Sequence, residues 1–223
     1  MAVTFDSNDY IRFTAPTASL GHTSKTYHFR VASRGDLGNN FYSNSGSTGD
    51  YIATQIVSTN RTIQFEADFS TTNGVWTTTF PLGTGSRITI TYNGGSTANN
   101  PIIYVNGVSQ TVTRTTAPVG TYQVPANRID LGYLSMVSDA VNLEDFRIYN
   151  VIKTAAQVAA IASEDIRTDQ NIDESGLVFH APLTMCKGLT YPTYVGTTLG
   201  TANEFLDRIN GYVGVPSGSP VGA

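Results

Sequence analysis

Charged side chains are scarce in this chain. Only 13% of its 223 residues are Asp, Glu, Lys or Arg, about half the proportion found in ordinary soluble domains. The 13 basic residues form no run. Because nucleic-acid binding relies on clustered cations, the sequence argues against a nucleic-acid partner. The 17 acidic residues are equally scattered, so the chain has no acidic tail.

Long apolar runs and cysteine pairs are also missing. No stretch approaches the roughly 18 apolar residues of a membrane-spanning helix, so the sequence predicts no membrane partner. The one cysteine, Cys186, excludes an intrachain disulfide and a cysteine-rich zinc site. Residues 1–6 alternate like a strand and lack a basic and apolar leader. We therefore expect a chain made in a cytoplasm without a signal peptide.

What the chain has in place of charge is Thr, Ser, Asn, Gly and Tyr in short alternating segments. Residues 62–69 alternate apolar and polar side chains over eight positions, which is typical of a half-buried antiparallel strand. Similar segments recur about every 10 residues, as in β-sandwiches. Thr154 and Gln157 form a capping box ahead of an Ala-rich turn, which predicts a short helix. The sequence thus predicts an all-β fold, a two-sheet antiparallel β-sandwich (jelly roll) with one short helix near residues 154–163.

Two motifs in a fixed order resemble a known superfamily. Residues 88–94 and 103–108 form a strand pair ending in Asn-Gly turns, and residues 143–150 are followed by the helix start at 154–158. This pattern is similar to the concanavalin A-like lectin/glucanase superfamily, and most of all to its LamG-like jelly-roll branch. The resemblance implies a lectin-like sandwich that works in sugar binding or adhesion.

The same resemblance bears on domain organisation. Residues 176–183 resemble the strand that usually opens such domains, yet here they come late in the chain. The last 40 or so residues hold too few large aliphatic side chains to fold alone. We therefore expect a LamG-like sandwich over residues 1–165. Residues 166–223 should form a C-terminal extension that completes this sandwich or contacts a partner subunit.

Catalytic motifs are weak. Glycosidases of this superfamily carry paired acids in a Glu-x-Asp-x-x-Glu pattern, because hydrolysis needs two carboxylates. Glu66 and Asp68 approach it, but no third acid follows. The sequence also contains no Gly-x-Ser-x-Gly elbow. We therefore expect a protein that is not an enzyme and has no catalytic residues.

Aromatic residues near polar loops are the candidate binding groups. Tyr42, Tyr51 and Trp76 lie in or beside segments rich in Gly, Asn and Ser, a composition that suits sugar faces and wet protein interfaces. Trp76 could equally be a core residue. No cofactor is predicted. The resemblance makes calcium a candidate, but the loop acids are not clustered, so the metal ligands stay unknown. These acids are Asp6, Asp9, Asp36, Asp50 and Asp139.

Two functions are compatible with these features. The first is a non-enzymatic virion structural protein, such as a bacteriophage capsid decoration (cement) or surface-fibre component, since an unexported lectin-like chain can be released by lysis. Its partners would be sister subunits in a homo-oligomer and capsid or tail proteins at the virion surface. The alternative is an extracellular carbohydrate-binding or adhesion module that recognises glycans. A neutral surface suits both, because few charges need to be desolvated.

Overall fold

The computed structural model describes most of the chain in separate ranges. These are residues 3–5, 10–14, 20–31, 39–43, 49–57, 59–81, 86–123, 128–131, 141–164, 173–181, 205–206, 213–217 and 221–222. Cys186 and, among the candidate calcium ligands, Asp6, Asp9, Asp36 and Asp139 lie outside them.

The described residues form seventeen strands and a nine-residue helix. The first nine strands are β1 (Val3–Phe5), β2 (Tyr10–Thr14), β3 (Ser24–Val31), β4 (Asn39–Ser43), β5 (Tyr51–Val57), β6 (Asn60–Ala67), β7 (Gly74–Pro81), β8 (Ser86–Asn93) and β9 (Ile102–Val105). They are followed by β10 (Val108–Ser109), β11 (Thr113–Thr116), β12 (Arg128–Leu131), β13 (Val141–Tyr149), the helix α1 (Ala155–Ser163), β14 (Leu177–Ala181), β15 (Phe205–Leu206), β16 (Val213–Ser217) and β17 (Val221–Gly222).

These strands pair into two antiparallel sheets. Sheet A has the order β10-β9-β8-β3-β13-β1-β17, with β14 also paired to β13. Sheet B has the order β11-β7-β6-β5-β4-β12-β2-β16-β15. Alternate side chains of both sheets point inward and form one apolar core. The predicted all-β sandwich with a short helix is therefore confirmed. In the described part of the chain, no helix is long and apolar enough to cross a bilayer.

Strand β6 shows how the sequence pattern builds the core. Ile63 and Phe65 are fully buried, while Thr62, Gln64 and Glu66 between them are partly exposed. Since successive side chains point to opposite faces, this alternation fixes which face of the sheet is inward. The strand ends at Ala67, two residues earlier than the alternation suggests.

The hairpin and helix follow their sequence signals. Asn106 and Gly107 have φ angles of 50° and 80° between β9 and β10, as a two-residue turn with two left-handed positions requires. The hydroxyl of Thr154 accepts from the amide of Gln157, whose side chain accepts from the Thr154 amide. Helix α1 buries Val158 and Ile161, as expected for a helix held by packing.

Described parts of the C-terminal segment lie within both sheets. Strand β14 pairs with β13 from Phe146 to Tyr149, while β1 pairs with the earlier half of β13. Strand β16 pairs with β2 in sheet B. Two collinear strands, one early and one late in the chain, thus occupy the same side of β13. The division of the chain at residue 165 stays a prediction.

Candidate ligand-binding face

The outer face of sheet B brings one predicted residue together with three polar ones. Tyr51 is the direct cross-strand neighbour of Glu66. Both lie on the face opposite the buried Ile52 and Phe65, so their side chains point outward. We call Tyr51, Gln64, Glu66 and Asn73 the Tyr51 patch. All four are partly exposed.

Hydrogen bonds hold the members of the Tyr51 patch in position. Gln64 donates through Nε2 to the Tyr51 hydroxyl over 3.1 Å. Asn73 donates through Nδ2 to Oε1 of Glu66 over 2.8 Å. The other side of the Asn73 amide accepts from the backbone of Phe69 over 3.1 Å, which fixes its orientation. Within the described part of the chain, Oε2 of Glu66 accepts no hydrogen bond.

The patch therefore offers an aromatic ring beside a carboxylate oxygen and two amides on one face of sheet B. An aromatic face packs against the C–H groups of a pyranose ring, while carboxylates and amides pair with its hydroxyls. Because the hydrogen bonds among the four side chains already exist, little side-chain entropy remains to be lost when a ligand binds. The arrangement is suited to binding rather than to acid–base chemistry.

A buried hydrogen-bond network lies directly behind the patch. Asp50, the residue before Tyr51, is fully buried. Its Oδ2 accepts from the hydroxyls of Tyr27 and Tyr122 over 2.5 and 2.6 Å and from Lys25 Nζ over 3.1 Å. Burial lowers the pKa of Lys25, and the nearby Asp50 carboxylate opposes that shift. The network joins β3, the start of β5 and the loop that carries Tyr122.

Two buried polar atoms accompany this network without a hydrogen-bond partner among the described residues. They are Oδ1 of Asp50 and the hydroxyl of Tyr92. Burial raises the pKa of Tyr92, and the charge of Asp50 adds to the effect. Burial also raises the pKa of Asp68, whose Oδ2 accepts from the Gly49 amide over 2.8 Å. Asp50, Tyr92 and Asp68 are buried near the patch, so they do not belong to its exposed surface.

The three predicted site residues have different surroundings. Tyr51 lies in the Tyr51 patch. Trp76 is fully buried in the core, where its Nε1 donates to Oδ1 of Asn100 over 2.9 Å, so its ring cannot stack on a ligand at the surface. Tyr42 lies on β4 opposite Ile52, and its side chain is outside the described part. The sequence pattern did not single out Gln64, Glu66 and Asn73 as candidate binding groups, although the alternation of β6 already placed the first two outward.

A second polar cluster lies on the outer face of sheet A. Arg147 forms a two-pronged interaction with Asp145, through Nε and Nη2, at 2.7 Å each. His180 is 2.9 Å from Oδ1 of Asp145, and His28 is 2.9 Å from the hydroxyl of Thr89. Burial lowers the pKa of His28 to about 3. All these residues are buried, so the cluster ties strands together and offers no access to a substrate.

Metal ligands are not grouped in the residues that the structure describes. No set of three or more His, Cys, Asp or Glu side chains there is placed to hold an ion. Asp50, the described member of the candidate calcium ligands, is already paired with Lys25.

Comparison with known proteins supports the fold. No family model and no curated protein matches the chain. Solved structures do match, and the three described here share 13–14% identity with the chain. A heptameric SAP-like pentraxin from Limulus polyphemus has a TM-score of 0.56 and 14% identity over 74% of this chain. A Bacteroides ovatus protein assigned as carbohydrate-binding has a TM-score of 0.62 and 14% identity over 98%. The receptor-binding domain of botulinum neurotoxin C/D has a TM-score of 0.54 and 13% identity over 71%.

This chain covers different shares of the three similar proteins. The chain spans 84% of the pentraxin, 60% of the Bacteroides protein and 41% of the toxin domain. At these identities the similarity establishes the fold alone. We conclude that the chain folds as a lectin-like jelly roll.

Proposed function

We propose that this chain is a glycan-binding module and that the Tyr51 patch is its binding site. The observation that carries the proposal is the placement of the Tyr51 ring beside Glu66, Gln64 and Asn73 on a partly exposed sheet face. The similarity to a protein assigned as carbohydrate-binding supports it. Glycan binding requires no catalytic group, so the proposal includes a protein that is not an enzyme.

A glycan array with the intact chain tests the function, and titration calorimetry of each positive glycan tests the site. Tyr51→Ala removes the ring and should weaken binding by about tenfold or more, since an aromatic residue at the centre of a site commonly contributes over 1 kcal/mol. Tyr51→Phe retains the ring and should have a smaller effect. The control is Val108→Ala on β10, at a 65% exposed position in the other sheet.

Two outcomes would contradict the proposal. If the chain bound no glycan on the array, the proposed glycan-binding function would be wrong. If Tyr51→Ala and Val108→Ala bound a glycan equally well, the Tyr51 patch would not be the binding site, although the glycan-binding function would stand. Circular dichroism of each variant must match the unmodified chain, because the comparison depends on an unchanged fold.

Finer features also belong to this proposal. We propose that the chain belongs to the LamG-like branch, and the sequence motifs in the β8–β9 hairpin and the β13–α1 segment support this proposal. The virion role, its capsid or tail partners and the virion location find no support among the similar structures and stay predictions. The homo-oligomer also stays a prediction, which light scattering of the purified chain measures directly.

A further inference from the structure

Among the described residues of β5, β6 and β7, the outward-facing charge has one sign. Strands β5, β6 and β7 present Tyr51, Ala53, Thr62, Gln64, Glu66, Val75, Thr77 and Thr79 outward. Glu66 is the charged residue in this set. Arg61, the basic residue on β6, is 2% exposed and points to the other face, where it donates to Thr54 over 3.2 Å. The exposed Arg114 lies on β11, beyond β7, in register with the inward-facing Trp76. Among the described residues of β5, β6 and β7, the carboxylate therefore has no compensating cation on its own face.

The nearest cation on this face whose side chain the structure describes is too far away to change that sign. Arg12 lies on β2, three strands from β5 in sheet B. At about 4.8 Å per strand this is roughly 14 Å, beyond the screening length of about 8 Å at physiological salt. Arg12 also donates to both oxygens of Asp130, over 2.8 and 3.2 Å. Lys25 is 2% exposed and bonded to Asp50, so it too is unavailable.

Glu66 is also oriented toward a ligand. Asn73 occupies Oε1, and the Asn73 amide is itself held by the backbone of Phe69. Oε2 is left to accept from a ligand hydroxyl or amine. An ionised carboxylate accepts hydrogen bonds but cannot donate one. A second carboxylate or a sulfate brought to Oε2 would therefore add like-charge repulsion without a bond to offset it.

We infer that the Tyr51 patch selects uncharged or amine-bearing pyranoses and rejects sialylated, uronic-acid and sulfated glycans, with Glu66 as the specificity-determining residue. The inference rests on the proposed glycan-binding function and adds the ligand class. Glu66 contacts the ligand through Oε2, while Asn73 acts as a positioning residue through Glu66.

The test compares matched ligands on the intact chain. Calorimetric titrations use a neutral oligosaccharide identified on the array, its counterpart with a free amine, and its counterpart with a carboxylate at the same sugar. The carboxylate form should bind the weakest, by about three- to fivefold relative to the neutral form, the range of one solvent-exposed charge interaction. The difference should shrink as salt is raised.

Glu66→Gln removes the charge and retains the shape. Because Oε1 still accepts from Asn73, the position of Oε2 becomes an amide donor, which does not repel a ligand carboxylate. The substitution should bring the neutral-to-acidic affinity ratio close to one. Glu174→Gln removes the same charge at an exposed position before β14 and should leave the ratio unchanged. Equal affinity of the unmodified chain for neutral and acidic forms would overturn the inference while leaving glycan binding intact. So would equal ratios in the two variants. Absence of any glycan binding would overturn both.

Discussion

The hydroxyl of Tyr122 donates to Oδ2 of Asp50 over 2.6 Å, and the two residues are 72 positions apart in the chain. Lys25 Nζ joins them, bonded to Asp50 and to the Tyr122 hydroxyl at 2.9 Å. The contact fixes the loop before β12 against the start of β5. Since Tyr51 follows Asp50 directly, the same carboxylate anchors the backbone of the Tyr51 patch.

Removing this anchor should destabilise the fold. Asp50→Ala leaves the buried Lys25 ammonium without its counter-ion and removes the carboxylate that accepts from the Tyr27 and Tyr122 hydroxyls. Breaking a buried pair by removing one partner costs about 3–5 kcal/mol. Urea unfolding should show a correspondingly lower midpoint, whereas Glu174→Ala, at an exposed acid, should change the free energy of unfolding by less than about 0.5 kcal/mol. A midpoint equal to that of the control would contradict the anchor.

Tyr122→Phe removes a single hydroxyl from the same network. Asp50 keeps its bonds from Tyr27 and Lys25, so the loss should be about 1–2 kcal/mol, smaller than for Asp50→Ala. The measurement is again the urea midpoint. A loss as large as that of Asp50→Ala would show that the tyrosine, and not the carboxylate, organises the network.

His28 should make stability depend on pH. Its pKa is lowered to about 3 because burial disfavours the charged ring. In the unfolded chain the pKa returns to about 6.5. Between these values the unfolded state binds the additional proton, so stability falls as the pH falls. The slope for this group should approach about 1.4 kcal/mol per pH unit.

Two measurements check this dependence. The free energy of unfolding by urea, taken at pH 7, 6 and 5, should decrease, and the slope should be smaller in His28→Gln. The ¹⁵N resonances of the His28 ring should show a neutral imidazole in the folded protein at pH 5. A titration of this ring near pH 6.5 would contradict its buried, neutral state.

Arg147→Lys should disrupt the cluster on sheet A despite keeping the charge. The guanidinium contacts both oxygens of Asp145 at 2.7 Å and also Glu164. An ammonium cannot reproduce that fork. Asp145 has a φ of 54° at a bulge in β13, a strained position for a residue other than glycine. We expect a loss of about 2–4 kcal/mol, measured by urea unfolding. A loss below 0.5 kcal/mol would show that the fork contributes nothing.

Gly107→Ala tests the packing of α1 on the β9–β10 turn. A Cβ there would lie 3.2 Å from the Cα of Ala159, at a φ of 80°. The close contact and the left-handed backbone both disfavour an alanine, so the free energy of unfolding should fall by about 1–2 kcal/mol. Gly95→Ala is the matched control, because its Cβ meets the Asn93 side-chain oxygen at 3.0 Å, a flexible group, without a left-handed φ. Equal thermal midpoints of the two variants would contradict the close contact.

Local sequence signals accounted for the elements of the fold. The alternation of β6, the Asn106-Gly107 turn and the Thr154–Gln157 capping box each involve residues within a few positions of one another. Their physical causes are the pleat, positive φ angles and an unpaired helix amide. Such causes act locally, so they can be seen without knowing the rest of the chain.

The candidate site was predicted only in part. Tyr51 was identified because it is an aromatic residue beside a polar loop, and the same rule selected Trp76, which the structure buries in the core. What separates them is register: Trp76 pairs with the inward-facing Phe65, and Tyr51 with the outward-facing Glu66. A shift of one residue would exchange the two faces.

The sequence by itself determined the all-β class, the strand alternation, the hairpin turn and the position of the helix, because these depend on neighbouring residues. Tertiary structure alone decided which side chains meet. Asp50 contacts Tyr122, and Asp145 contacts His180, which is 35 positions later in the chain. Long-range strand pairing and sheet packing bring these residues together. The scarcity of charge was evident from composition, but its placement was not. Among the described residues, the separation of Glu66 from Arg61, which is buried, and from Arg12, which is paired with Asp130, exists only in the folded chain.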